Sequence, residues 1–155
     1  WGTAETAAGA ALTCLLYAAI DPGNAKPYIE LARSQRDFIL GCNPFGICCL
    51  VGGGARFPLF PHHQVADLLK RQLSGALVGG PADVRTLMSQ RIRLAGAETC
   101  PSPLPGGKQQ ISTYQDAVFD YVTNEPAIDY TSTFLLLMAY YQNHTELKEN
   151  KQHDD

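Results

Sequence analysis

The sequence predicts a mostly α-helical fold with long, ordered loops at its helix ends. Three observations carry this reading. An Ala- and Leu-rich run from Ala4 to Ile20 is free of Pro and has no interior charge after Glu5, as suits a buried helix. Tyr28, Leu31, Ala32, Gln35, Phe38 and Ile39 recur at three-to-four spacing. No segment alternates apolar and polar residues over more than a few positions, so no strand is expected.

In order along the chain, Asp21-Pro22-Gly23-Asn24 breaks the first helix. Pro27 then suits the first turn of a second, which should end at Gly41. Two sequential helices joined by a short turn make a helical hairpin. From Gly41 to Pro61 the composition turns to Gly, Pro and aromatic residues. Phe45, Ile47, Leu50, Val51, Phe57 and Phe60 are residues of a kind that is usually buried, so this loop should be ordered and form a wall of a site. Val65 to Leu73 predicts a short helix followed by a glycine-rich turn. Val84, Leu87, Met88, Arg91, Ile92 and Ala95 repeat with helical spacing, and Pro101 to Gly107 reads as irregular. A last helix is expected from Asn124, with Pro126 in its first turn, through Phe134 and Met138. The polar stretch 142–155 reads as a fraying tail behind one domain spanning 1–141.

Composition removes several function classes. A chain of 155 residues, 45% hydrophobic, can bury a core, and a net charge of -3 without a basic run argues against a nucleic-acid partner. The apolar stretch Phe134 to Ala139 is far shorter than the roughly 20 residues that cross a bilayer, so no membrane partner is expected. The opening Trp1-Gly2-Thr3 has no signal-peptide pattern, and an apolar segment starting at once without Met suggests a fragment. The five cysteines are odd in number and lack paired CxxC spacing, so neither a disulfide framework nor a metal site is expected, even with Cys48-Cys49 and His62-His63 in one chain. No cofactor is called for.

Four local features bear chemistry: Pro61-His62-His63-Gln64, Leu77-Val78-Gly79-Gly80-Pro81, Asp116 with Tyr121, and Asn124-Glu125-Pro126-Ala127-Ile128. Singly, each has an ordinary structural explanation, such as a hydrogen-bonded histidine pair or a carboxylate placed at a helix start. Five ordered blocks together are more specific: Trp1-Gly2, Leu40-Gly41-Cys42-Asn43-Pro44, Pro61-His62-His63, Gly75-Ala76-Leu77-Val78-Gly79-Gly80-Pro81, and Tyr114-Gln115-Asp116 followed by Tyr121-Val122-Thr123-Asn124-Glu125. In this order, from Trp1 to about Tyr141, the chain resembles the end of the catalytic domain of glycoside hydrolase family 9. It departs at Gln64, where the family pattern has arginine, and in the block from Val84 to Cys100.

The resemblance implies an all-α fold, the C-terminal part of an (α/α)6 barrel, hydrolysing β-1,4-glucan such as cellulose or cello-oligosaccharides with inversion. It implies Glu125 as general acid, which must hold a proton near working pH and so needs burial or a neighbouring negative charge. Asp116 and Asp120, close upstream, and Asp129, in the following turn, are each placed to supply that charge, and the resemblance puts Asp116 with Glu125 among the catalytic residues. Inversion also needs a general-base carboxylate across the sugar, and the resemblance puts it in an N-terminal portion of the domain outside these residues, so the fragment alone is expected to be inactive. His62 is implied as a sugar-binding histidine donating to a hydroxyl, with His63 beside it fixing the loop. Gln64 replaces a permanent cation by a neutral amide at the substrate. Tyr121 reaches Glu125 or the sugar by i,i+4 geometry if a helix already runs there, or else packs. Extracellular or periplasmic location is implied by the family only. Two other readings stay open: an exo-acting glucosidase or glucosaminidase on the same scaffold, and a non-catalytic helical carbohydrate-binding fragment.

Overall fold

The computed structural model describes residues 1–103 and 109–152. Its helices are α1 (Thr3–Ile20), α2 (Ala25–Ile39), α3 (Gln64–Leu69), α4 (Val84–Ser89) and α5 (Ile128–Gln152), with a 3-10 turn at Pro22–Asn24. Three strands, β1 (Ala82–Asp83), β2 (Glu98–Pro103) and β3 (Gln109–Tyr114), form an antiparallel sheet in the order β1-β3-β2.

Alanine builds the centre of the molecule. Ala4, Ala7, Ala8, Ala11, Leu15 and Ala18 are buried along one side of α1 at three-to-four spacing. These small side chains let α2 and α5 approach closely, and the shared core adds Ala32, Ile39, Phe134 and Leu137. Burying a side chain the size of Phe134 or Leu137 stabilises the fold by roughly 1.5–3 kcal/mol. Pro22 ends α1 by forcing Asp21 out of helical geometry. In length and composition α1 is apolar enough to cross a membrane; here its alanine side is packed into the core.

The helical hairpin expected from Ala4 to Gly41 is present, and Gly41 ends it with a left-handed φ of 115°. Asn43 then organises the loop that follows. Its Nδ2 donates to the carbonyls of Phe38 and Ile47, each at 2.8 Å, and its Oδ1 accepts from the N–H groups of Phe45 and Ile47. Phe45, Ile47 and Val51 are buried as expected, but Phe60 is 58% exposed. Arg56 pins the loop to the sheet through an ion pair with Glu98 and a 2.7 Å bond to the Phe45 carbonyl.

An all-α fold is corrected by the sheet. Strand β2 carries Pro101 and Pro103, which an edge position tolerates because the missing N–H can face away from the ladder. β3 pairs with neighbours on both sides, from Ala82↔Thr113 to Pro103↔Gln109. The helix expected through Ala95 stops at Ser89, and the segment read as irregular from Pro101 enters the sheet; residues 104–108 lie outside the described residues. The last helix starts at Ile128 rather than Asn124, because Pro126 is held extended in a bridge with Val78. It continues through Gln152, taking in most of the stretch read as a tail, of which 153–155 lie outside the described residues.

Candidate active site

Glu125 is placed by main-chain bonds rather than by a helix. The extended segment Gly75 to Pro81 lies between two neighbours. On one side Val51 and Val78 donate to Ala76 and Cys49 carbonyls at 2.9 and 3.0 Å. On the other, Gly79 N–H donates to the Glu125 carbonyl at 3.0 Å and Gly80 N–H to the Thr123 carbonyl at 2.9 Å. Both glycines are needed for this approach. A Cβ at Gly79 would lie 2.9 Å from the Val122 carbonyl oxygen, and Gly80 has a φ of 80° between Ala4 and Cys49. Ala4 N–H, at the start of α1, closes the arrangement on the Gly79 carbonyl at 3.0 Å.

The three carboxylates of this region have different surroundings. Asp120 is fully buried and accepts from Val122 N–H, Thr123 N–H and the Thr123 hydroxyl at 2.8, 3.0 and 2.6 Å, which folds the turn preceding Glu125. Asp116 accepts from Leu59 N–H at 2.7 Å, Phe60 N–H at 2.9 Å and Asn124 Nδ2 at 3.1 Å. Glu125 is half-buried, and among the described residues no hydrogen bond or ion pair engages its carboxylate. Both Asp116 and Asp120 therefore have structural partners, while Glu125 presents free oxygens.

His62 lies across the same turn. Its N–H donates to the Asn124 carbonyl at 2.8 Å, and its Nδ1 bonds the Val118 carbonyl. A carbonyl only accepts, so Nδ1 carries the proton and a neutral His62 presents Nε2 as an acceptor. His63 uses its Nδ1 to accept from Ala66 N–H at 3.2 Å and so caps α3. Gln64, the first residue of α3, is exposed.

Tyr121 does not meet Glu125 by helical i,i+4 geometry, because residues 121–124 form a turn. Its ring instead stands between Trp1, at a centroid distance of 5.7 Å, and His62, at 5.8 Å. Its hydroxyl donates to the Gln90 carbonyl at 3.1 Å. Such a row of rings offers apolar faces of the kind on which sugars stack. In the sequence Trp1 stands out only as part of the Trp1-Gly2 motif, and nothing there marks Tyr130 as a neighbour of this region. Tyr130 packs against Gly2 and Gly79, and its hydroxyl titrates above its ordinary value because of burial, then the charges of Asp129 and Glu125.

Among the described residues no three His, Cys, Asp or Glu side chains gather where a metal could be held. The five cysteines are free thiols, and burial pushes Cys49 up to about 12.

The family model described as glycosyl hydrolase family 9 matches residues 1–138. Endoglucanase A of Bacillus pumilus is 33% identical over 136 residues, which are 86% of this chain and 18% of that protein. Endoglucanase 3 of Arabidopsis thaliana is 29% identical over 116 residues, 73% of this chain and 23% of that one. Among solved structures, endoglucanase CelQ from Clostridium thermocellum complexed with cellobiose and cellotriose is similar at 29% identity and a TM-score of 0.64, covering 91% of this chain and 21% of that chain. A metagenome-derived glycoside hydrolase family 9 endoglucanase gives 28% identity and a TM-score of 0.66, with coverage of 91% and 23%. The chain thus spans about a fifth of the length of the relatives it matches.

Proposed function

The chain belongs to glycosyl hydrolase family 9, and from that premise we propose that it supplies the acid-bearing part of a site hydrolysing β-1,4-glucan by inversion. Glu125 protonates the leaving glycosidic oxygen. The observation that carries this is the contrast among carboxylates: Asp116 and Asp120 are taken up by structural bonds, whereas Glu125 is unengaged on a backbone fixed by Gly79 and Pro126. A general acid must reach a proton acceptor on the substrate, and an unengaged half-buried carboxyl can do so.

The general base comes from a part of the catalytic domain outside these residues, about 6.5–9.5 Å from the acid, leaving room for the attacking water. That part also contributes the remaining helices of an (α/α)6 barrel, of which α1, α2 and α5 are members. His62 accepts from a sugar hydroxyl through Nε2, and Trp1 and Tyr121 support the ring. Asp116 is a positioning residue that holds the loop before His62. Gln64 meets the substrate as a neutral amide at the edge of the site. The setting is extracellular or periplasmic, where insoluble glucan is met.

Glu125→Gln in the complete catalytic domain tests this reading. Turnover of cello-oligosaccharides should fall by about 10²–10⁴-fold with binding retained. Unchanged turnover removes Glu125 from the acid role.

A further inference from the structure

We propose that the cleft beyond Tyr121 is an outer subsite that takes the carboxylate of an acidic sugar, a uronate unit, on Arg91 and Arg93. The proposal rests on the glucan-cleaving reading for the main chain that such a unit would belong to. The cleft has a volume of about 300 Å³ and is lined by Gln90, Arg91, Ile92, Arg93, Phe119 and Tyr121. Tyr121 is shared with the row that includes His62, so a chain lying on that row runs into this cleft.

Arg36, Arg56 and Arg85 each have a carboxylate partner, whereas Arg91 and Arg93, like Arg33 and Arg71, form no ion pair among the described residues; Arg91 and Arg93 differ in that both line this cleft. Ile92 between them is buried, with both arginines exposed on either side of it. Each is also held. Ile92 N–H donates to the Leu87 carbonyl at 2.9 Å and Arg91 N–H to the Met88 carbonyl at 3.0 Å, a pattern that ends α4 with Arg91 in the left-handed region at φ 57°. Glycine is the default there, and an arginine costs stability, so its side chain is the reason to look for a role. The Arg93 guanidinium stacks over the Phe119 ring at 4.9 Å, and the buried Gln115 grips its backbone by donating to the Arg93 carbonyl at 3.0 Å.

Two guanidinium groups lining one cleft, that of Arg93 oriented over an aromatic ring, match one ligand chemistry well. The ring of a sugar lies on Tyr121, and its planar carboxylate accepts N–H bonds from the arginines. Neutral glucose units gain no such bonds. The block from Val84 to Cys100, where the sequence departs from the family pattern, supplies both cations.

The test is calorimetric binding at low salt to the complete catalytic domain, comparing a cello-oligosaccharide with the same oligosaccharide carrying one glucose oxidised at C6 to glucuronic acid. The acidic ligand should bind about two- to fivefold more tightly, the scale expected for partly exposed charge pairs. R91Q/R93Q should erase that ratio and leave affinity for the neutral oligosaccharide unchanged. R91G should lower the ratio while keeping or raising the melting temperature, since glycine suits the left-handed position. Equal affinity of the unaltered protein for both ligands, or a preference that survives R91Q/R93Q, overturns the proposal. A charge preference without hydrolysis of either ligand supports it and counts only against the catalytic reading.

Discussion

Asn124 donates through Nδ2 to Asp116 Oδ1 across 3.1 Å, and this pair joins the two loops between which Glu125 stands. Asn124 is fully buried and also donates to the Phe60 carbonyl at 2.7 Å while accepting from the Tyr114 hydroxyl at 2.8 Å. Asp116 extends the link to Leu59 and Phe60 N–H. The Tyr114 hydroxyl is held protonated by burial first and by the Asp116 charge second, so it stays a donor.

Asn124→Leu should therefore be costly. It keeps volume but leaves the Tyr114 hydroxyl, the Phe60 carbonyl and one Asp116 oxygen with a lost partner, which predicts a loss of about 2–4 kcal/mol in urea denaturation. Asp116→Asn, which retains one acceptor oxygen, should cost about 1–2 kcal/mol. A leucine variant as stable as the parent would show that this network is not structural.

Gly79→Ala should disturb the site without touching any side chain in it. The added Cβ lies 2.9 Å from a main-chain oxygen, which has no rotamer by which to move away. A destabilisation of about 1–3 kcal/mol is expected, as for an overpacked core position, with turnover falling as the Val122 to Glu125 backbone shifts. Thermal melts and kinetics of the same variant check both.

The adjacent histidines should separate cleanly. On the proposed reading His62→Ala removes the acceptor offered to a sugar hydroxyl and should weaken cello-oligosaccharide binding by about tenfold, the worth of one hydrogen bond. His63→Ala removes the cap of α3 and should cost about 0.5–2 kcal/mol of stability with binding unchanged, and His63→Asn should restore it. The reverse assignment of effects would refute this division.

Acid should weaken the start of α4 through Asp83. Bonding to the Arg85 side chain, and then to its N–H, holds this carboxyl below its ordinary 3.8. A carboxyl lowered on folding contributes stability that is fully present above its unfolded value and is lost as pH falls through the folded one. The melting-temperature gap between the parent and D83N should thus be widest near neutrality and close as pH drops below about 3.8. A gap independent of pH would exclude the charge as its cause.

Much of this was legible in the residues. The α1–α2 hairpin follows from spacing, because helical periodicity reports a buried face whatever that face packs against. The motif Gly79-Gly80-Pro81 was visible, though not its purpose, since a glycine's need depends on which backbone approaches it. The sheet was hidden: β3, Gln109 to Tyr114, is polar at most positions, and its order comes from hydrogen bonds to Ala82–Asp83 and Glu98–Pro103, which periodicity does not record. Helix α5 was placed too early for a related reason, as Asn124 looks like a cap but is used as a hub. Trp1, Tyr121 and His62 lie far apart in sequence, and their shared row appears only when α1 and the 118–125 turn are brought together.

The main-chain bonds from Gly79 and Gly80 to Glu125 and Thr123 have one more consequence, for how such a site can change over evolutionary time. Their donors and acceptors are peptide groups, which every residue except proline carries in full. Substitutions can accumulate at Gln64 or in the arginine-bearing block while the Glu125 carboxyl keeps its pose. On the proposed reading, selectivity and reactivity are thereby uncoupled, and the scaffold can explore new substrates without relearning where the proton of Glu125 must be delivered.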